Sequence, residues 1–226
     1  MTTKIILMRH GHVEGIRPRR FRGREDIPLT VLGRAQAVAT ARRVAELWRP
    51  HAILTSPMAR CVETAATISD ACGAPRRILD TLIEIDYGLW QWKTHEEISR
   101  TWPELYRMWC TTPHLFRFPQ GESLQDLIAR VGDALRYLLQ EHRDRTVVVV
   151  GHNSVCRALT MQVLDQPLSA YWRLHFRPCG ISEIEFVGDV ARVLRVNETF
   201  HLPAATKESQ KNLSAQRSNS EPVQSG

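Results

Sequence analysis

The stretch KIILMRHG, residues 4–11, joins a nearly all-apolar run of strand length to a turn of arginine, histidine and glycine, and TVVVVGHN, residues 146–153, repeats that arrangement far along the chain. A short continuous apolar run reads as a strand buried on both faces, the kind that parallel sheets use. HAILT, residues 51–55, is a third such run, and it stops at Ser56-Pro57, where proline suits the first turn of a following helix. The chain therefore reads as strand, polar turn, helix, three times over.

The segments between these runs carry the helical period. Thr30 can cap a helix running to about Trp48, with Val38, Ala41, Ala45 and Trp48 on one face and Pro50 marking its end. From Glu122 to His142, the residues Leu124, Leu127, Ile128, Val131, Leu135, Leu138 and Leu139 keep a helical spacing throughout. A helix over residues 95–109 would bury Ile98, Trp102, Leu105 and Trp109 as ordinary core, with Pro103 as the place where it kinks or splits. Apolar strands alternating with amphipathic helices predict an α/β domain with a mostly parallel central sheet, and such sheets bind ligands beyond the carboxyl ends of their strands.

The chain has 226 residues, 43% of them hydrophobic, enough to close a core. Residues 1–202 show no repeat and no linker and are taken as one domain, whereas residues 203–226, with only Leu213 and Val223 as large apolar side chains, read as a disordered tail. No apolar run is long enough to span a membrane, and the apolar start is too short for a signal peptide. The five cysteines are odd in number, widely spaced and without a CxxC pair, which argues against a disulfide framework and against a thiolate zinc site. A reducing cytoplasm is the expected setting.

At the three strand ends stand Arg9-His10-Gly11, Ser56-Pro57 with Arg60, and Gly151-His152-Asn153. A lone histidine is more often structural than catalytic, but two arginines and two histidines converging on one sheet edge describe a phosphoryl pocket. Guanidinium forks match phosphate oxygens and keep their charge, and a neutral imidazole can attack phosphorus.

The ordered motifs LMRHG, G-x-x-DIPLTxxGxxQA from Gly23, LTSPMARCVETA, IEIDYGLW, PQGESL and VVVVGHNSVCRAL resemble the histidine phosphatase superfamily, in the branch containing phosphoglycerate mutases. The resemblance implies a three-layer α/β/α fold and covalent catalysis, with His10 as the nucleophile and His152 beside it. It further implies a phosphoryl group held by Arg9 and Arg60, and Arg22, Gly23 and Asn153 are taken as further substrate contacts. A carboxylic acid in the IEIDYG segment, by motif position Glu84, protonates the leaving alkoxide. Burial against Ile83, Ile85 or Trp90 would favour the protonated form that this role needs. Asp86 is the fallback acid, and Glu122 reads first as a carboxylate at a helix terminus. No metal and no cofactor is called for.

The chain departs from the family pattern at three places. His12-Val13 stand where relatives usually write Glu-Thr or Glu-Ser, Ile16 stands where many carry an asparagine that helps hold phosphate, and the usual GxWEG is Gly88-Leu89-Trp90-Gln91-Trp92. Arg17, Arg19, Arg20, Arg22 and Arg24 form a basic loop. It reads first as a solvated loop paired with Glu14, Glu25 and Asp26, then as an attractor of anionic substrates, and least as a nucleic-acid contact, since no nucleic-acid motif accompanies it. Trp90, Trp92, Trp102, Trp109, Tyr87 and Tyr106 read as core, and relatives build a substrate cap from the same region.

The expected function is a metal-independent phosphatase acting on a small-molecule phosphomonoester, without nucleic-acid or membrane partners. The step from Glu84 to PQGESL resembles the phosphatase branch, including α-ribazole phosphatases and broad-specificity enzymes, more than the mutases. The alternatives are a mutase-type phosphoryl transfer, set apart by dependence on a bisphosphoglycerate, and a non-catalytic binding module. A metal-dependent hydrolase reading His10-Gly11-His12 as a ligand pair ranks low, because residues 1–202 are short for the barrel that carries such pairs and Arg9 would repel a cation. A homodimer is compatible with the sequence, which specifies no partner surface.

Overall fold

The computed structural model describes residues 2–16 and 18–203, so Arg17 and the expected tail beyond residue 203 lie outside the described residues. The three apolar runs form β1 (Thr2–Arg9), β2 (Ala52–Thr55) and β4 (Thr146–Gly151), with β3 (Arg76–Ile78), β5 (Ile181–Val187) and β6 (Val190–Glu198) completing one sheet. Strand order is β3-β2-β4-β1-β5-β6. The first four strands in that order run parallel, and β5 and β6 add an antiparallel border beside β1.

Side chains alternate across the sheet, which divides the core in two. Ile5, Leu7, Leu54, Val147 and Val149 pack toward α5 (Leu124–Glu141) and α6 (Asn153–Val163), while Ile6, Met8, Ile53, Val148 and Val150 pack toward α1 (Val31–Leu47) and α2 (Ala59–Cys72). The result is the three-layer α/β/α architecture. Both faces of the central strands are dry, and for that reason their sequences are continuous apolar runs.

Local structure corrects several expectations. His51 precedes β2. Thr30 caps α1, accepting from the Gly33 amide, but the buried face is Gly33, Ala37, Thr40, Ala41 and Val44, and Val38 is 42% exposed. Small residues face inward there because α1 lies close against α2 and the loop after β1. Pro57 is not in the first turn of α2, which begins at Ala59, and Asp26 from the preceding loop caps it by accepting from the Ala59 amide at 2.9 Å. The long helix starts at Leu124, with Ser123 and Asp126 forming a capping box, so Glu122 lies outside it. Residues 95–109 split into α3 (His95–Thr101) and α4 (Pro103–Thr111), because Pro103 has no amide hydrogen to continue the first helix and opens the second. Trp90 and Trp109 are core, in a cluster of rings with Phe21, Tyr87, Phe116 and Phe118.

Candidate active site

The register that pairs Arg9 with Gly151 and Thr55 with Val150 brings the ends of β1, β2 and β4 level. The ladder continues one residue further: the His10 amide donates to Gly151 O at 3.0 Å and the Ser56 amide to Val150 O at 3.1 Å. His10, Ser56 and His152 thus stand side by side at the sheet edge. The imidazoles of His10 and His152 meet edge to face with centroids 5.3 Å apart. Arg9, His10, Arg60 and His152 are 5%, 2%, 1% and 0% exposed.

The hydrogen bonds fix the tautomers. His10 Nδ1 lies 2.7 Å from Gly11 O, and a carbonyl only accepts, so Nδ1 carries the proton and Nε2 keeps its lone pair. His152 Nδ1 accepts from Arg60 Nε at 3.3 Å, which leaves the proton on Nε2, 2.8 Å from Ser56 Oγ. Burial, then the charges of Arg60 and Arg9, hold both rings well below the usual imidazole range, so both are neutral at neutral pH.

Arg9 donates to Phe176 O at 3.0 Å, Arg22 to Gly15 O at 2.7 Å, and Arg60 to Glu25 O at 2.6 Å and Gly23 O at 2.7 Å. Each of these guanidiniums is held by backbone carbonyls, and among the described residues none has a carboxylate within salt-bridge distance. Burial lowers the Arg9 and Arg22 guanidiniums, and their mutual repulsion and that of Arg22 with Arg60 act in the same direction. Arg9 Nε and Asn153 Oδ1 are buried without a partner among the described residues. Buried cations and orphaned polar atoms carry a free-energy cost that an anion can offset.

Gly23 lies on the far side of Arg60. Its carbonyl holds the guanidinium, its φ is +45°, and a Cβ would stand 2.9 Å from Gln91 Oε1, so it contributes a backbone acceptor rather than a side chain. Glu84 is 7% exposed between the buried Leu82 and Ile85, and its Oε1 accepts from the Ile85 amide at 2.9 Å. The Glu84 charge acts to raise the Arg9 and Arg22 guanidiniums, against the effect of burial. The fallback acid Asp86 is committed elsewhere, accepting from Gly88 N at 2.8 Å and Arg24 at 3.2 Å.

The loop after His10 rests on α1 and α2. The Gly11 amide donates to Thr64 Oγ1 at 3.1 Å and the His12 amide to Gln36 Oε1 at 2.9 Å, while the His12 ring turns to Thr30 Oγ1 at 2.9 Å. His10 and His12 therefore point at different partners, as a metal-binding pair would not. A Cβ on Gly11 would lie 2.5 Å from Gly33 O, so this contact requires glycine. The G-x-x-Q-A motif is in this sense a cradle for the loop that follows His10.

The described arginines of the basic loop form no ion pair with Glu14, Glu25 or Asp26, contrary to expectation. Arg20 donates to Trp92 O at 2.7 Å and lies over the Trp92 ring, and Arg24 pairs with Asp86 and Glu122. Ser56 and Thr64 stand in recognised motifs, but motif reading gave neither a role. Arg157, in the motif VVVVGHNSVCRAL, likewise has no role in the sequence reading; it is buried and stacked 4.8 Å from the centroids of both Tyr171 and Trp172, with Nε donating to Leu174 O at 2.7 Å.

Comparison with known proteins fits this geometry. The profile of the histidine phosphatase superfamily (branch 1) matches residues 5–199. The chain is 34% identical over 201 residues to phosphoserine phosphatase 1 of Hydrogenobacter thermophilus, covering 88% of this chain and 94% of that protein. It also spans 55% of the length of a bifunctional protein of Mycobacterium tuberculosis, at 32% identity. Among solved structures, the YhfR protein of Bacillus stearothermophilus superposes with a TM-score of 0.84 at 30% identity, covering 89% of this chain and all of that one. A mycobacterial glucosyl-3-phosphoglycerate phosphatase superposes at 0.79 with 25% identity, covering 88% and 100%. The chain belongs to the histidine phosphatase superfamily (branch 1) and is a phosphatase enzyme.

Proposed function

We propose that the enzyme hydrolyses a small soluble phosphomonoester through a phosphohistidine on Nε2 of His10. The observation that carries this reading is the His10 tautomer: with Nδ1–H donated to Gly11 O, a neutral Nε2 lone pair stands beside guanidiniums that lack carboxylate partners. Nε2 attacks phosphorus, the P–O bond to the alcohol breaks, and Glu84 gives its proton to the departing alkoxide. Water then attacks the phosphohistidine, passing its proton to the Glu84 carboxylate, and orthophosphate leaves as Nε2 recovers its electron pair. Arg9, Arg22 and Arg60 offset the charge on the transferred oxygens, each such donor being worth roughly 10²–10³ in rate. His152 keeps Arg60 in plane, and its Nε2–H, now shared with Ser56, is a donor within reach of a phosphoryl oxygen. Substrates of the named relatives, a phosphoserine and a glucosyl phosphoglycerate, make a phosphorylated small acid the first class to try. The five cysteines are all free thiols, which suits a reducing compartment, and among the described residues no helix is long and apolar enough to cross a membrane.

The test is a panel of phosphomonoesters with wild type, His10→Ala and Glu84→Gln, EDTA present throughout. His10→Ala is expected to abolish turnover and chelation to leave the wild type unaffected. Full turnover in the His10 variant overturns the mechanism, and loss of wild-type activity in EDTA returns the metal reading.

A further inference from the structure

Residues 81–86, which carry Glu84, form no regular strand or α-helix beyond one short turn, yet two arginines from distant parts of the chain grip their backbone. Arg130, on α5, donates from NH1 to Thr81 O at 2.9 Å and Ile83 O at 2.6 Å. Its other edge makes a two-point bridge to Glu122, at 2.9 and 3.0 Å. Glu122 in turn accepts from the Asp86 amide at 2.9 Å and donates its own amide to Asp86 O at 3.0 Å. Arg24 closes the circuit: Nε donates to Glu84 O at 3.3 Å, NH1 to Asp86 Oδ2 at 3.2 Å, and NH2 lies 3.1 Å from Glu122 Oε1. Gly121 permits the approach, since a Cβ there would stand 2.5 Å from Asp86 O.

These contacts hold the carbonyls of residues 81, 83, 84 and 86 and the amide of 86. The two cations and two carboxylates balance, and the Arg130–Glu122 bridge, with side chains 16% and 17% exposed, is less screened than the Arg24–Asp86 pair at 34% and 30%. Its contacts fall on both sides of Glu84 and on the Glu84 carbonyl itself, so they fix the backbone from which that side chain projects.

We propose that Arg130, Glu122 and Arg24 are positioning residues that fix the Glu84 carboxyl where the leaving oxygen develops charge. The inference rests on the reading of Glu84 as the acid. A misplaced acid slows the departure of an alkoxide, which needs a proton, far more than that of a nitrophenolate, which does not. A residue that matters only for folding slows both alike.

The experiment measures kcat and KM for O-phosphoserine and for p-nitrophenyl phosphate with Arg130→Lys, which keeps the charge and loses the fork, with Glu84→Gln, and with the double variant. Arg130→Lys is expected to lower kcat/KM, which reports the step in which the alcohol leaves and not the later attack of water common to both esters, at least tenfold more for the alkyl ester than for the aryl ester. The double variant is expected to show no greater alkyl-to-aryl disparity than Glu84→Gln alone, as required if Arg130 acts through Glu84. Equal losses on the two esters in Arg130→Lys, or a multiplied disparity in the double variant, overturn the proposal. Equal losses in Glu84→Gln overturn instead the assignment of Glu84 on which it stands. Should Arg130→Lys fail to fold, Glu122→Gln carries the same comparison, with the same results for and against.

Discussion

Gly33→Ala separates two forces that act at one backbone position. On helix propensity alone, alanine in place of glycine inside α1 stabilises by about 1 kcal/mol. The tertiary contact opposes it. A Cβ on Gly33 would overlap the His12 carbonyl and stand 2.9 Å from the His12 amide nitrogen, and that backbone has little room to yield. Its amide is bound to Gln36, and its carbonyl accepts from both the amide and the hydroxyl of Thr30. The loop and the helix must part by about 1 Å to restore ordinary contact, an overpacking that costs about 1–3 kcal/mol. Set against the propensity gain, this leaves a net destabilisation of up to about 2 kcal/mol. Since His10 lies two residues from the clash, a displacement of this size should lower kcat by roughly 10²-fold. Urea unfolding gives the first quantity and saturating kinetics on an aryl phosphate the second. Gly73→Ala is the control: its φ is +64° and no atom lies within 4 Å of the added Cβ, so it strains the backbone locally and should leave kcat alone. A Gly33→Ala protein that is more stable than wild type and fully active refutes the reasoning.

Anion binding should reveal the uncompensated charge of the cage. Orthovanadate at a hundred times its dissociation constant is expected to stabilise by about 2.7 kcal/mol, a Tm rise of roughly 5–11 °C for a chain of this size. Arg60→Met should remove most of the rise; an unshifted wild type, or a full shift in the variant, counts against the cage. His10 and His152 are both held below the ordinary imidazole value of 6.5, chiefly by burial and then by the arginines, so the unfolded chain takes up protons first as pH falls. Their contribution to stability is therefore complete above about pH 6.5 and is lost below it, by up to about 1.4 kcal/mol per pH unit for each ring. Unfolding midpoints compared at about pH 7.5 and pH 5.5 should show the loss, and His152→Asn should reduce it; a flat wild-type profile contradicts the assigned neutral rings.

The central strands were legible because burial on both faces leaves no room for polar residues in them. The sheet border was not. In β5, Glu183 and Glu185 interrupt the apolar run, and they are tolerated because Lys4 lies near both and Arg195 pairs with Glu183. β3 is three exposed residues, Arg76–Ile78, with no pattern to read. The buried face of α1 is not legible, because close packing against α2 and the loop after β1 selects Gly33, Ala37 and Thr40, which carry little hydropathy signal, over Val38. The positions of His10, Arg60 and His152 followed from strand ends that register makes level. The role of Glu122 did not, since its partners Arg24, Asp86 and Arg130 come together only through the tertiary fold.

β1 leads directly into His10, and both of its neighbours lie in the distant half of the chain: Lys4 is opposite Thr146 and Thr2 is opposite Val187. During synthesis the first strand consequently has no ladder to join until β4 leaves the ribosome, although α1, β2, α2 and β3 can begin to associate before then. Such long-range pairing also slows folding. A truncated nascent product ending before residue 146 lacks both β4 and His152, so it can assemble neither the level sheet edge nor the paired imidazoles that stand on it.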